Sequence, residues 1–349
     1  MRARLRTAGQ EVEVSCREGW AARLLEEACT GELRPAVAGS PEPTLRLTLE
    51  NGQSAFHAPD WQVVTRGAWR RDGEVVLADA CSTGFDLALR PDGDRLDVRA
   101  RWRPSARSRF ARTALPSRFH LLVRCALLQY PVLWWAGVQG LAPLHVSAVQ
   151  VGDEALLLAG PGGVGKSTLV AGAVANGSSC ASDNLCVTDG TRVYGLTEPV
   201  RNELASGRRM PHGRREGPLS GRVPWLDASG VLVLGLADEP TRLDSMTPEA
   251  VSRALVTGTV MAGELRRYWA FAATLAAALE LGPAHPEVER VAAVLARRLP
   301  GRRLQRARGD FRPLAELLPA LSPEASAVAN MASAATPEPS TPPTLLETA

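Results

Sequence analysis

The chain has 349 residues, 45% of them apolar and 22% charged, and 40 basic against 37 acidic side chains leave a formal net charge of +3. That composition excludes a disordered chain, gives no reason to expect a nucleic-acid partner, and is long enough for two domains. Only one of the 40 basic residues is lysine, Lys166, as in a chain whose coding background prefers arginine wherever arginine will serve.

The first hundred residues read as β-rich. Alternating runs at 11–15, 44–50, 61–65, 74–77, 85–90 and 96–102 are separated by turn dipeptides such as Asn51-Gly52, Asp72-Gly73 and Asp92-Gly93, and predict antiparallel hairpins. One helix, over 18–29, interrupts them. The arginine-rich stretch 101–118 reads as a solvated connector or as a contact for an acidic ligand. A long helix is predicted from Phe119 to about Gly140, then strands at 145–151 and 155–159, and a helix from Lys166 to about Asn176. A strand at 231–236 and helices at 248–260, 264–281 and 286–298 complete an α/β pattern. Beyond about residue 321 the chain is rich in Ala, Ser, Thr and Pro without periodicity, and a disordered tail is expected.

The apolar stretch from Cys125 to Val146 contains Pro131, Pro143 and His145 and reads as a buried helix and a strand, so no membrane span or membrane partner is expected. The opening MRARLRTAGQEVEVS carries charge where a secretory leader needs apolar residues. The cysteines at 16, 29, 81, 125, 180 and 186 form no Cys-x-x-Cys pair and no zinc spacing. Free thiols in a reducing cytoplasm are the expectation.

Chemistry concentrates in Gly160-Pro161-Gly162-Gly163-Val164-Gly165-Lys166-Ser167-Thr168, which fits G-x-x-x-x-G-K-[ST] between a predicted strand and a predicted helix. The glycines let backbone N–H groups turn inward as a phosphate cradle, and the helix N-terminus adds its dipole. A lysine at position 166 reaches the β- and γ-phosphates, and a serine at 167 supplies an oxygen to Mg²⁺. A nucleoside triphosphate and Mg²⁺ are the cofactors expected. With no second lysine, an Asn-Lys-x-Asp guanine site cannot be built. Leu219-Ser220-Gly221 is too close to the loop for a transporter ATPase signature. Asp183-Asn184 follows Lys166 closely, as an acidic residue does in a compact kinase.

The segment LHVSAVQVGDEALLLAGPGGVGKSTLVAGAVANGSSCASDN (144–184) resembles the core of the HPr kinase/phosphorylase family and its serine-kinase-like relatives, as a divergent branch. In that family a His-bearing strand leads through a turn to the phosphate loop, and a Gly then precedes an Asp-Asp pair. The matching positions are His145, Gly160 to Thr168, Gly177 and Asp183-Asn184. The resemblance implies an α/β P-loop kinase domain, of the PEP carboxykinase/HPr kinase type, preceded by a smaller β-rich domain. It implies ATP-dependent transfer to a hydroxyl, with Asp183 orienting or deprotonating the acceptor and His145 supporting the site. Mg²⁺ would be held by Ser167, Asp183 and Asn184. Three departures stand out: Asn184 replaces the second aspartate, Thr168 stands where the bifunctional enzymes carry Glu, and their Glu-x-Arg-Gly-x-Gly loop has only Glu198-Pro-Val-Arg201 as an echo. Phosphorylase activity and HPr as substrate are therefore not expected.

The expected organisation is a β-rich domain over 1–105 for substrate recognition, a connector and helix over 106–140, a kinase domain over 141–320 and a tail over 321–349. Arg201 is the candidate phosphate contact outside the loop. The loop 207–222, with five arginines, is either a mobile clamp over the transferring group or a solvated loop. The expected activity is phosphorylation of Ser or Thr in a peptide or small protein, such as a biosynthetic precursor peptide, by a cytoplasmic enzyme, and the resemblance implies a homo-oligomer. The alternatives are a small-molecule hydroxyl kinase and a nucleotide-binding regulator that transfers nothing.

Overall fold

A computed structural model describes residues 1–318 except 18, 38, 203–206 and 211–212; the tail expected from residue 321 lies outside the described residues. The described chain is mixed α/β, with sheets of nine, six, four and two strands.

The nine-stranded sheet is built from residues 2–102. Its first hairpin pairs Arg2–Thr7 with Gln10–Ser15 through an Ala8-Gly9 turn in which both residues have positive φ, the geometry that matches strand twist. Leu45–Glu50 departs from the hairpin expectation: it runs parallel to Gln10–Ser15 on one side and to Arg95–Trp102 on the other. Parallel neighbours need a crossover. Helix Trp20–Ala28 lies within the first, and the meander through Gln62–Thr65, Ala68–Arg71, Glu74–Leu77 and Phe85–Asp92 makes the second. The core beneath this sheet joins Leu45, Leu87, Leu89 and Val98 to Phe119 and Leu127 from the long helical stretch and to Tyr268 and Leu275 from helix Arg266–Leu279. Two distant parts of the chain thus cover the first hundred residues.

The stretch after Arg103 is helical rather than an extended linker. Ser105 caps helix Ala106–Ala114 by accepting a bond from the Ser108 N–H, and Arg112 lies over the Trp20 and Trp102 rings. The next helix runs Pro116–Val138, long and apolar enough by composition to cross a membrane, but 78% of its most apolar window is buried inside the protein. A π-turn at Cys125–Gln129 interrupts it. There the Tyr130 N–H bonds to the Cys125 carbonyl five residues back, just before Pro131, which has no N–H to offer.

The six-stranded sheet orders Cys180–Ser182, Ser147–Val151, Glu154–Ala159, Gly230–Ala237, Gly301–Ala307 and Arg242–Met246. The three strands at its centre-right, Glu154–Ala159, Gly230–Ala237 and Gly301–Ala307, are parallel to one another. Helices Pro248–Val260 and Val288–Arg298 pack on one face, and Lys166–Ala175 on the other. The strand predicted over 145–151 is broken. Ala142–Leu144 belongs to the four-stranded sheet and Ser147–Val151 to the six-stranded one, so His145 sits where the chain changes sheets.

Candidate functional site

The strand Glu154–Ala159 ends in the glycine loop, and helix Lys166–Ala175 begins from it. Gly160, Gly163 and Gly165 have positive φ, which only glycine adopts without strain. Gly160 has a second reason to be glycine: a Cβ there would stand 2.8 Å from the Leu234 carbonyl oxygen. A cleft of about 680 Å³ opens over the loop. Gly160, Pro161, Gly162, Gly163, Gly165, Lys166, Ser167 and Thr168 line it, whereas Val164 turns down into the apolar core.

Lys166 is buried, and its Nζ donates to the carbonyls of Gly160 at 2.8 Å and Pro161 at 3.3 Å. Burial lowers its ammonium pKa, against the pull of Asp183 and Glu264.

Asp183 follows the edge strand Cys180–Ser182 and is only 5% exposed. Its backbone carbonyl accepts from the Ser147 hydroxyl, which fixes the turn. Its Oδ1 is buried without a hydrogen-bond partner. Burial raises its pKa, opposed by the Ser167 hydroxyl and by Arg201, Lys166 and Arg214. An orphaned carboxylate oxygen beside an ammonium and a serine, in a cleft, has the chemistry of a metal ligand or a proton acceptor.

His145 lines the same cleft, held by helix Pro248–Val260: its N–H donates to Thr259 Oγ1 at 3.0 Å and its Nδ1 lies 3.0 Å from the Gly258 carbonyl. A carbonyl accepts only, so Nδ1 carries a proton and Nε2 is the nitrogen left for chemistry. Burial and then the Lys166 charge lower the imidazole pKa.

Asn184 and Arg201 also reach the cleft, and each arrives with a carboxylate partner. Asn184 Nδ2 donates to Glu198 Oε1 at 3.0 Å, and Arg201 pairs with Glu264 at 2.7 Å. Glu198 is buried, and burial pushes its carboxyl up to about 7 although Arg201, Arg124 and the Asn184 amide favour its charge. Burial pushes Glu264 upward, but the Arg201 charge and hydrogen bond, with the Glu264 backbone N–H and His145, together hold that carboxyl below its usual value. Arg201 Nε and Nη2 are buried without partners. Glu198 had a signal in the sequence, the echo Glu198-Pro-Val-Arg201; Glu264 had none, because it lies 63 residues beyond Arg201 and only the fold joins them.

The described part of the arginine-rich loop is docked. Strand Arg215–Gly217 pairs with Val200–Asn202, setting Arg201 opposite Glu216. Arg124 from the long helix bonds Glu216 at 2.9 Å, Arg208 bonds Glu27 at 2.7 Å, and Ser117 donates to the Arg209 carbonyl. Arg214 lines the cleft. The large sheet reaches the site too: the Ala8 N–H bonds the Gly195 carbonyl at 2.8 Å and the Thr197 N–H bonds Thr7 Oγ1 at 2.7 Å, next to Glu198.

Among the described residues no group of three His, Cys, Asp or Glu side chains is set to hold a metal ion. No protein-family profile and no curated protein matches the chain. Among solved structures, the Hpr(Ser) kinase/phosphatase from Coxiella burnetii aligns at 13% identity over 30% of this chain and 77% of that one, with a TM-score of 0.21.

Proposed function

We propose that the chain is an ATP- and Mg²⁺-dependent kinase that transfers the γ-phosphoryl group to a hydroxyl, that of Ser or Thr in a peptide or small protein. The observation that carries the reading is Asp183 Oδ1, buried and unpartnered in the cleft that the glycine loop lines. The residues fit the two cofactors. Positive-φ glycines and the helix N-terminus form a cradle for phosphates, with Lys166 at its entrance. Mg²⁺ is commonly held by one or two carboxylates and completes its shell with phosphate, water and neutral oxygens, so Asp183, with the Ser167 hydroxyl and the Asn184 side-chain carbonyl oxygen, would suffice without a closed cage. Bound there, the metal neutralises charge growing on the phosphate oxygens.

The chain's own residues do the rest. Lys166 exchanges its loop carbonyls for phosphate oxygens. Asp183, with a carboxyl raised by burial, accepts the acceptor hydroxyl's proton as the new O–P bond forms and the bond from the γ-phosphorus to the β–γ bridging oxygen breaks, releasing ADP. Arg201 offers unpaired N–H groups to the transferring group and is aimed by Glu264. His145 Nε2 stands across the cleft as an acceptor for a substrate proton. In this reading residues 141–320 form the kinase domain and residues 1–105 present the substrate, through the contacts from Thr7 and Ala8 to the segment before Glu198.

The test is incubation of the full chain with γ-labelled ATP, Mg²⁺ and a library of Ser- and Thr-containing peptides, read by mass spectrometry. Labelled peptide that disappears with Asp183→Asn supports the reading. Tight ATP binding with no product from peptides or small hydroxyl compounds overturns it in favour of a nucleotide-binding regulator.

A further inference from the structure

We infer that Arg306 is a nucleotide-binding residue that grips the α-phosphate of the bound triphosphate; this rests on the kinase reading and extends its site. The three parallel strands of the central sheet, Glu154–Ala159, Gly230–Ala237 and Gly301–Ala307, all end at one edge. That edge, outside the carboxyl ends of parallel strands, is where open α/β sheets take ligands, and the phosphate loop leaves from it. Arg306 is the penultimate residue of its strand. Its guanidinium rests on the loop: a Cβ built on Gly165 would stand 2.6 Å from Nη2.

Arg302 pairs with Glu154 at 3.5 Å and Arg308 with Asp238 at 2.9 Å, whereas Arg303 has no carboxylate partner among the described residues. Arg306 pairs with no carboxylate among the described residues. Instead it lies beside the first residues of the ten-residue helix Lys166–Ala175, whose dipole is positive at that end. A guanidinium, an ammonium and a helix N-terminus gathered on one glycine loop repel each other until a polyanion enters. Arg306 does not line the cleft that holds Lys166 and Asp183. In the kinase reading the reacting phosphoryl group faces those two, and Arg306, beside Gly165, is assigned to the other end of the triphosphate. It therefore contributes binding shared by ground and transition states, which strengthens affinity without speeding transfer.

The experiment is calorimetric titration of the full chain with MgATP. Arg306→Ala is expected to weaken binding about tenfold, the worth of one charge-assisted hydrogen bond. Arg306→Lys keeps charge but loses the planar fork and is expected to fall between Arg306→Ala and wild type. Arg308→Ala, which removes an exposed charge from the same strand end, is the control and is expected to leave affinity unchanged. If Arg306→Ala does not fold, Arg306→Gln keeps the stem and carries the same expectation. Binding within twofold of wild type in a folded Arg306 variant, or an equal loss in Arg308→Ala, overturns the role of Arg306 alone. A wild type that binds no MgATP overturns the kinase reading, and this inference with it.

Discussion

Lys166 donates from Nζ to the carbonyl oxygen of Gly160 at 2.8 Å, so the one lysine of the chain is folded back onto the first residue of its own loop. The contact keeps a buried ammonium satisfied, and in the proposed kinase phosphate oxygens would take the carbonyl's place. It also defines the space available: an ammonium fits between Gly160 and Pro161, and a planar guanidinium with five donors does not.

Lys166→Arg is therefore expected to weaken MgATP binding at least about tenfold and to abolish transfer, although it retains the charge. Titration calorimetry and a labelled-phosphate assay on the same preparation check both halves. Undiminished turnover would remove the loop from the mechanism.

Asp183→Asn preserves shape and removes the carboxylate that has an unpartnered oxygen. Turnover is expected to fall by about 10²-fold or more, the usual worth of a positioned base, while ATP affinity moves by only a few fold. The same substitution removes a buried charge that burial disfavours, so the melting temperature is expected to hold or rise. Equal losses in turnover and affinity would reduce Asp183 to a metal ligand.

The loop was legible because its chemistry is carried by consecutive residues whose strand and helix flank them directly. Asp183 was legible for a similar reason, lying one short strand further on. The far wall of the cleft was legible only in part: Arg201 and the Glu198 echo stood out in the sequence, but their meeting with Glu264 did not, because the segments are separated by a hairpin and a helix and no local pattern joins them. Within the fold, Arg2–Thr7 alternates buried Ala3, Leu5 and Thr7 with arginines, a period-two signal hidden by the charges. Helix Ala106–Ala114 was masked in the same way: its arginines suggested a solvated linker, while the Ser105 cap and the stacking of Arg112 on Trp20 and Trp102 hold it in place. The parallel placement of Leu45–Glu50 was invisible because strand order is a non-local choice.

Glu198 gives a pH signature. Its folded carboxyl lies at about 7, above its ordinary value of 4.5, so the folded state binds more protons than the unfolded chain between those values. Its contribution to stability is fullest at low pH and is lost as pH rises through the folded value. Glu198→Gln cannot titrate. The melting temperature of Glu198→Gln minus that of wild type is expected to increase from pH 5 to pH 8; a flat or falling difference would show that the charged carboxylate is well compensated by Arg201, Arg124 and Asn184.

The thiols answer a separate question, whether any cysteine belongs to the chemistry. Burial raises the pKa of all six: Cys29 and Cys81 to about 12, Cys125 to about 11, and Cys16, Cys180 and Cys186 upward as well. Thiolate is the reactive form, and at pH 8 each of these groups stays protonated. Cys180 lies in the strand just before Asp183 and is fully buried. Native protein treated with a chromogenic disulfide reagent at pH 8 is therefore expected to release colour slowly, the five buried thiols at the rate of opening and the half-buried Cys81 at a rate set by its small thiolate fraction. Protein in guanidinium chloride is expected to release six equivalents at once, since all six cysteines are free. MgATP should slow the native reaction at Cys180 further, by stabilising the fold around the loop. A thiol that reacts within seconds in the native state would mean that a cysteine is exposed and activated, and would bring thiol chemistry into the site.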